Sequence, residues 1–186
     1  MDLPFSPFPI LETPRMFLRQ IVDADVQEMF FLRSDKRVMK YIDRPLCHSP
    51  EDALALIRSI EENRVKSEGI AWGMCLRDDP RLIGTIGYWR MKIHNFRAEI
   101  GYMLHPDFHR MGLTSEAMKF VMGFGFEKMN LHSIEAHINP GNHASAQLLE
   151  KLGFVREAYF REDYYFNGKF LDTAIYSLLR SDTIKL

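Results

Sequence analysis

The chain has almost no cysteine. Cys47 and Cys75 are the two among 186 residues, too few for a disulfide framework, so a reducing, cytoplasmic setting is the default expectation. It also lacks any apolar run long enough to span a bilayer. The first residues, Met1-Asp2-Leu3-Pro4-Phe5, are acidic and proline-broken rather than basic and apolar, so they do not read as a signal peptide. Neither sign of charge dominates: 24 lysines and arginines face 25 aspartates and glutamates, for a formal net charge of −1. With no long basic run, the composition argues against a nucleic-acid partner, a local basic patch aside. Internal repeats, low-complexity tracts and linkers are absent after the first dozen residues.

What is there suffices for one core. Hydrophobic residues make up 46% of the chain and charged ones 26%, and no break in composition marks a second domain. Residues 13–180 therefore read as one mixed α/β domain and residues 1–12 as an extension. Residues 16–21 (MFLRQI) form a strand pattern, and Asp23 reads as the cap of a helix through Val26, Met29 and Phe30. Residues 37–42 suggest a short helical piece. Ser49-Pro50-Glu51-Asp52 starts a helix, with a capping serine, proline at the first helical position and acids in the first turn. Its apolar face is Ala53, Leu56, Ile57 and Ile60. Residues 70–77 and 82–91 read as strands joined by a turn at Asp78-Asp79-Pro80-Arg81. With the strand that holds Glu99 they make an antiparallel meander. Later, residues 133–139 alternate as a strand, Asn142 caps a helix through Leu148, Leu149 and Leu152, and Gly153 ends it. Residues 155–166 and 169–179 flank Asn167-Gly168, a strong hairpin signal.

One stretch organises the rest: residues 98–126, AEIGYMLHPDFHRMGLTSEAMKFVMGFGF. It opens as a strand with Ile100, Tyr102 and Leu104 on one side and Glu99, Gly101 and Met103 on the other. Pro106 stops that strand. The loop His109-Arg110-Met111-Gly112-Leu113-Thr114 then feeds a helix whose apolar face is Ala117, Phe120, Val121 and Phe124. Such a loop aims unpaired backbone N–H groups at one spot, where the helix dipole adds about half a positive charge. Gly112 marks close backbone approach or a positive φ, and His109 and Arg110 supply donors or charge. A diphosphate suits that spot.

The order strand, loop, helix resembles the acyl-CoA-binding signature of the GNAT superfamily of N-acyltransferases, Gln/Arg-x-x-Gly-x-Gly/Ala. Here the pattern reads His109-x-x-Gly112-x-Thr114, departing at two of its three marked positions. Asn142-His-Ala-Ser145-Ala-Gln-Leu-Leu-Glu-Lys-Leu152-Gly153-Phe154 resembles the segment that follows the fifth strand of that superfamily. The stretch from Arg15 to Arg19, the two helices and Ser49-Pro50, and the terminal Gly168, Asp172 and Tyr176 are similar to its RimJ/RimL-like branch. That branch acetylates ribosomal-protein N termini and small amines. The resemblance implies a mixed, mostly antiparallel sheet flanked by helices and splayed between its fourth and fifth strands, where pantetheine fits.

It implies further that an amine attacks the thioester of acetyl-CoA directly, without a metal. Backbone of Tyr102, Met103 and Leu104 would pair with pantetheine, and the loop from His109 to Thr114 would hold the diphosphate. Glu99 is the candidate base, working through water, with a salt-bridged or solvent-facing acid as its alternative. Asn142 and Ser145 are candidates for contacting cofactor or sulfur, with helix capping alone as the alternative for Asn142. Where many relatives carry a thiolate-protonating tyrosine this chain has Leu149; Ser145, Tyr164 or Tyr165 could take that task, or the thiol, with a pKa of about 8.5, needs no strong acid. The acceptor is a primary amine, either a protein N-terminal α-amine or a small molecule, and the enzyme a monomer or homodimer. The competing readings are a catalytically silent acyl-CoA-binding module and a different phosphate-binding protein. His105 and His109 stand four apart but lack a third ligand for a metal. Cys75 reads as a buried strand residue, and Gly84-Thr-Ile-Gly87 as a closely packed strand, not a dinucleotide loop.

Overall fold

A computed structural model describes residue 3 and residues 5–185, with side chains up to residue 182. The strands are β1 (Leu11–Glu12), β2 (Met16–Gln20), β3 (Ile70–Leu76), β4 (Asp79–Lys92), β5 (Arg97–Leu104), β6 (Ser133–Ile138), β7 (Val155–Phe166) and β8 (Lys169–Leu179). The α-helices are α1 (Val26–Ser34), α2 (Pro50–Val65), α3 (Leu113–Glu127) and α4 (His143–Lys151). One sheet holds all eight strands in the order β1-β2-β3-β4-β5-β6-β8-β7. Every neighbouring pair is antiparallel except β5 and β6.

Local chemistry explains most boundaries. Ser49 accepts from the Asp52 backbone N–H while Asp52 answers the Ser49 N–H, a closed capping box before Pro50. Helix α4 ends in a Schellman arrangement: Gly153 N–H bonds Glu150 O at 3.0 Å and Phe154 N–H bonds Leu149 O at 3.0 Å. Asn167 and Gly168 both take positive φ, 47° and 78°, which matches the twist of the two strands they join.

Two apolar layers cover the sheet. Ala98, Ile100, Ile134, Ala136, Ala174 and Leu178 pack with Ala117 and Val121 of α3 and Leu149 of α4. Met29 and Leu32 of α1 and Ala53 and Ile57 of α2 pack with Ala71 and Leu82. Leu149 has no exposed surface, and its truncation to alanine would cost about 2–5 kcal/mol. Ile70 and Ala71 press against Gly87, and Met103 and Leu104 against Gly84, so the strand between has no room for a phosphate.

The functional feature of the sheet is where it comes apart. β5 and β6 are in register at Arg97↔Ser133, Ala98↔Ile134 and Glu99↔Glu135, and from Ile100 and Ala136 onward they no longer pair. This is the splay expected between the fourth and fifth strands; the two-residue β1 ahead of them shifts the count by one.

Some expectations need correction. The β3–β4 turn is Arg77-Asp78, because Leu76 already pairs with Asp79. Asp79, Pro80 and Arg81 begin β4, and Pro80 is tolerated because β5 does not reach that far. Asp23 does not cap α1. It opens a 3-10 turn, Asp23–Asp25, and pairs with Arg58, while Asp25 takes the Val22 N–H at 2.9 Å. Residues 37–42 yield a 3-10 turn at Met39–Tyr41. Phe120 is 40% exposed, since the buried arc of α3 turns toward Met118 and Met122. Leu56 and Ile60 are half-buried.

Candidate active site

The cradle at the start of α3 is built by Gly112. Its φ of +76° is one that residues with a Cβ rarely adopt, and it caps the helix without any side-chain bond to the first turn. Glu116 N–H bonds Gly112 O at 3.0 Å, so the N–H groups of Leu113, Thr114 and Ser115 precede the first helical bond. Arg110 also takes a positive φ, 63°, and both it and Met111 are exposed. Thr114 is half-buried, whereas the side chain of Leu113 is in the core. His109 Nε2 donates to Leu104 O at 3.0 Å, so this side chain ties the loop to β5.

A second tie was invisible locally. Arg15 Nε bonds Glu116 Oε2 at 2.6 Å, its Nη1 bonds Met111 O at 2.8 Å, and Thr13 Oγ1 donates to Glu116 Oε1 at 2.6 Å. Burial would raise the Glu116 carboxyl, but the bonds from Thr13 and Arg15 outweigh it and hold it below the usual glutamate range. The Arg15 guanidinium therefore lies across the loop beside Gly112.

The gap begins next to this loop. His105 N–H bonds Ile83 O at 2.8 Å, and antiparallel strands alternate, so Met103 and Gly101 turn their backbone groups toward β4. Ile100, Tyr102 and Leu104 turn theirs into the gap, where β6 has left. An unpaired buried N–H or C=O is costly, so this edge needs a partner. Tyr102 and Leu104 thus turn backbone groups into the gap, while those of Met103 face β4. Leu104 O is already taken by His109.

Across the gap, Asn142 Oδ1 accepts from Ser145 N–H at 3.1 Å and caps α4. Ser145 Oγ is 2.7 Å from Tyr102 Oη. Burial pushes the Tyr102 phenol up to about 12, with the Ser145 bond opposing weakly. This pair shares one proton between two oxygens and keeps a second O–H free to donate. Held so far above neutrality, Tyr102 keeps its phenolic proton at pH 7. Leu149 is buried, Tyr164 is bound to Arg44 and Asp43, and Tyr165 is exposed beside Phe170.

On the α1/α2 face lies a cluster of charges. Glu99 pairs with Arg90 at 2.9 Å, so its expected alternative as a salt-bridged acid is realised. Beside it Glu135 is almost fully buried and is held by Arg97 at 2.6 Å and Lys92 at 3.3 Å. Burial works against the Glu135 charge, but Arg97, Lys92 and His137 together keep its carboxyl below the ordinary range. His137 stands between the acids, Nδ1 4.0 Å from Glu99 Oε2 and Nε2 3.7 Å from Glu135 Oε1. Ligand-type atoms of Glu99, Glu135 and His137 lie within 4.8 Å of one another, yet Arg90, Lys92 and Arg97 already neutralise both acids, which suits no further cation. Strand alternation places Glu135 and His137 on one face, so their mutual proximity was legible; their position beside Glu99 depends on the β5–β6 register. Among the described residues no helix is long and apolar enough to cross a membrane.

Comparison with known proteins accounts for the arrangement. The family model for the acetyltransferase (GNAT) domain matches residues 15–155. A Bacillus subtilis protein described as the uncharacterized N-acetyltransferase YoaA is 39% identical over 173 residues, 93% of this chain and 98% of that one. Among solved structures, the GNAT-family acetyltransferase from Bacillus anthracis superposes with a TM-score of 0.82 at 26% identity, covering 93% of this chain and 99% of that one. The fold also matches RimL, a ribosomal L7/L12 alpha-N-protein acetyltransferase in complex with coenzyme A, with a TM-score of 0.83 at 17% identity, covering 92% and 98%. The chain belongs to the GNAT family of N-acetyltransferases.

Proposed function

We propose that this acyltransferase, whose cosubstrate is acetyl-CoA, delivers the acetyl group to a protein N-terminal α-amine. The N terminus of α3 and Gly112 hold the diphosphate, and Tyr102 and Leu104 pair with pantetheine. Ser145 and Tyr102 donate toward sulfur, and Asn142 holds Ser145 in place. Glu99 lies where the acceptor nitrogen arrives.

The charge balance beside Glu99 carries the choice of acceptor. Three cations, Arg90, Lys92 and Arg97, surround two carboxylates, Glu99 and Glu135. A polyamine would bring further positive charges to a patch that already has an excess of them. An α-amine brings one charge, with a pKa near 8, and loses it before attack. The RimL described above acts on such an amine.

The test is thiol release from acetyl-CoA with short peptides starting in alanine, serine or threonine, the same peptides blocked at the α-nitrogen, and spermidine. Free peptides are expected to exceed spermidine at least tenfold in kcat/KM, and blocked ones to give background. Preference for spermidine would overturn the proposal.

A further inference from the structure

His137 occupies a position that neither a capping role nor a packing role explains. It is on β6 at the point where β6 leaves β5, on the same face as Glu99 and Glu135. Its Nε2 is buried without a hydrogen-bond partner and faces Glu135 Oε1 at 3.7 Å. That carboxylate is kept charged by Arg97 and Lys92, and a fixed negative charge behind Nε2 favours the tautomer with its proton there. The lone pair is then on Nδ1, which faces Glu99 Oε2 across 4.0 Å. A nitrogen placed between them can stand about 2.8–3.0 Å from both, within hydrogen-bond reach of each. A base set by a carboxylate behind it is the arrangement that activates nucleophiles on many folds.

We propose that His137 Nδ1 takes the proton of the acceptor amine, while Glu99 Oε2 positions that amine by a second hydrogen bond. Nδ1 takes the ammonium proton first; the neutral nitrogen then forms its bond to the acetyl carbon, and the proton it sheds in doing so passes to water. The carbon–sulfur bond breaks, sulfur keeps the electron pair, and the thiolate leaves under the Ser145–Tyr102 donors to be protonated by solvent. The imidazolium lies between the charges of Glu99 and Glu135 and returns its proton to water through its partly exposed edge. The charged groups facing His137 are Glu99 from β5 and Glu135 from β6, which are themselves paired with Arg90 and Lys92 of β4 and Arg97 of β5; its β8 partner is Ile175. The inference rests on the acetyltransfer reading above.

The test is kcat/KM against pH, from 5.5 to 9.5, with acetyl-CoA and a short peptide bearing a free N-terminal serine. His137→Gln should lower kcat about 10²-fold at pH 7, keep the KM for acetyl-CoA within about twofold, and recover most of the loss by pH 9.5, where the amine deprotonates unaided. Glu99→Gln, which still accepts a hydrogen bond, should lose only about tenfold. Imidazole added to folded His137→Ala should restore activity. Activity of His137→Gln within twofold at pH 7, or one constant loss at every pH, would overturn the inference while leaving acetyltransfer standing. No transfer to any amine by the unsubstituted enzyme would instead defeat the reading beneath it.

Discussion

At the scale of single residues, the cradle depends on a side chain about a hundred positions away. The Arg15 side chain forms two bonds to the loop region, to Glu116 and to the carbonyl of Met111, and so fixes the shape in which Gly112 presents the helix N terminus. Arg15→Ala should raise the KM for acetyl-CoA at least tenfold while kcat changes less than threefold, measured in steady-state assays on folded protein. A fall in kcat with unchanged KM would place Arg15 in the chemistry rather than in the cradle. The sequence could not have supplied this pair, because nothing local connects Thr13-Pro14-Arg15 to a helix 101 residues later. Gly112 was legible, and its φ of +76° is the physical reason. Glu99 was legible as a carboxylate beside the gap but not as the partner of Arg90. His137, beside the buried Glu135, was not singled out, since a histidine on a strand carries no signal until the strand register is known.

At the scale of elements, boundaries set by local chemistry were readable and those set by tertiary packing were not. The Ser49 box, the Asn142 cap and the Asn167-Gly168 turn are written in adjacent residues and appear where expected. The exposure of Phe120 and the overhang that admits Pro80 depend on which neighbours cover α3 and how far β5 extends, and periodicity does not encode either. The parting of β5 from β6 is of the same kind: it came from family likeness, not from alternation. Within the α3 element the decisive substitution is Gly112→Val. A β-branched residue at this φ is strained, so the loop should reset and CoA binding, by calorimetry, should weaken at least tenfold with the fold retained. Equal affinity in folded wild type and variant would remove the loop from the site.

At the scale of the whole molecule, acids bind distant parts of the fold together, and this gives a direction for pH. Glu116 joins the β1–β2 turn to α3, and Glu135 joins β6 to β4 and β5. Both carboxyls are held below their ordinary range in the folded state despite burial. Such groups contribute stability fully above the unfolded value, about pH 4.3, and lose it as pH falls through the lowered folded value. Urea midpoints should therefore be level from pH 7 to 5.5 and drop steadily below about 4.5, and Glu116→Gln should shallow that drop; a midpoint that rises on acidification would refute the sign. The central claim is that a parted sheet, a phosphate-holding helix start and a cation-rich acceptor face make an enzyme for α-amines. The most direct measurement is the site of acetylation, read by tandem mass spectrometry, on a peptide carrying a free N terminus and an internal lysine after incubation with acetyl-CoA. The account predicts acetyl on the α-nitrogen, equal in amount to the thiol released, with the lysine unmodified. Acetyl found chiefly on the lysine, or thiol released with no acetylated peptide, would contradict it.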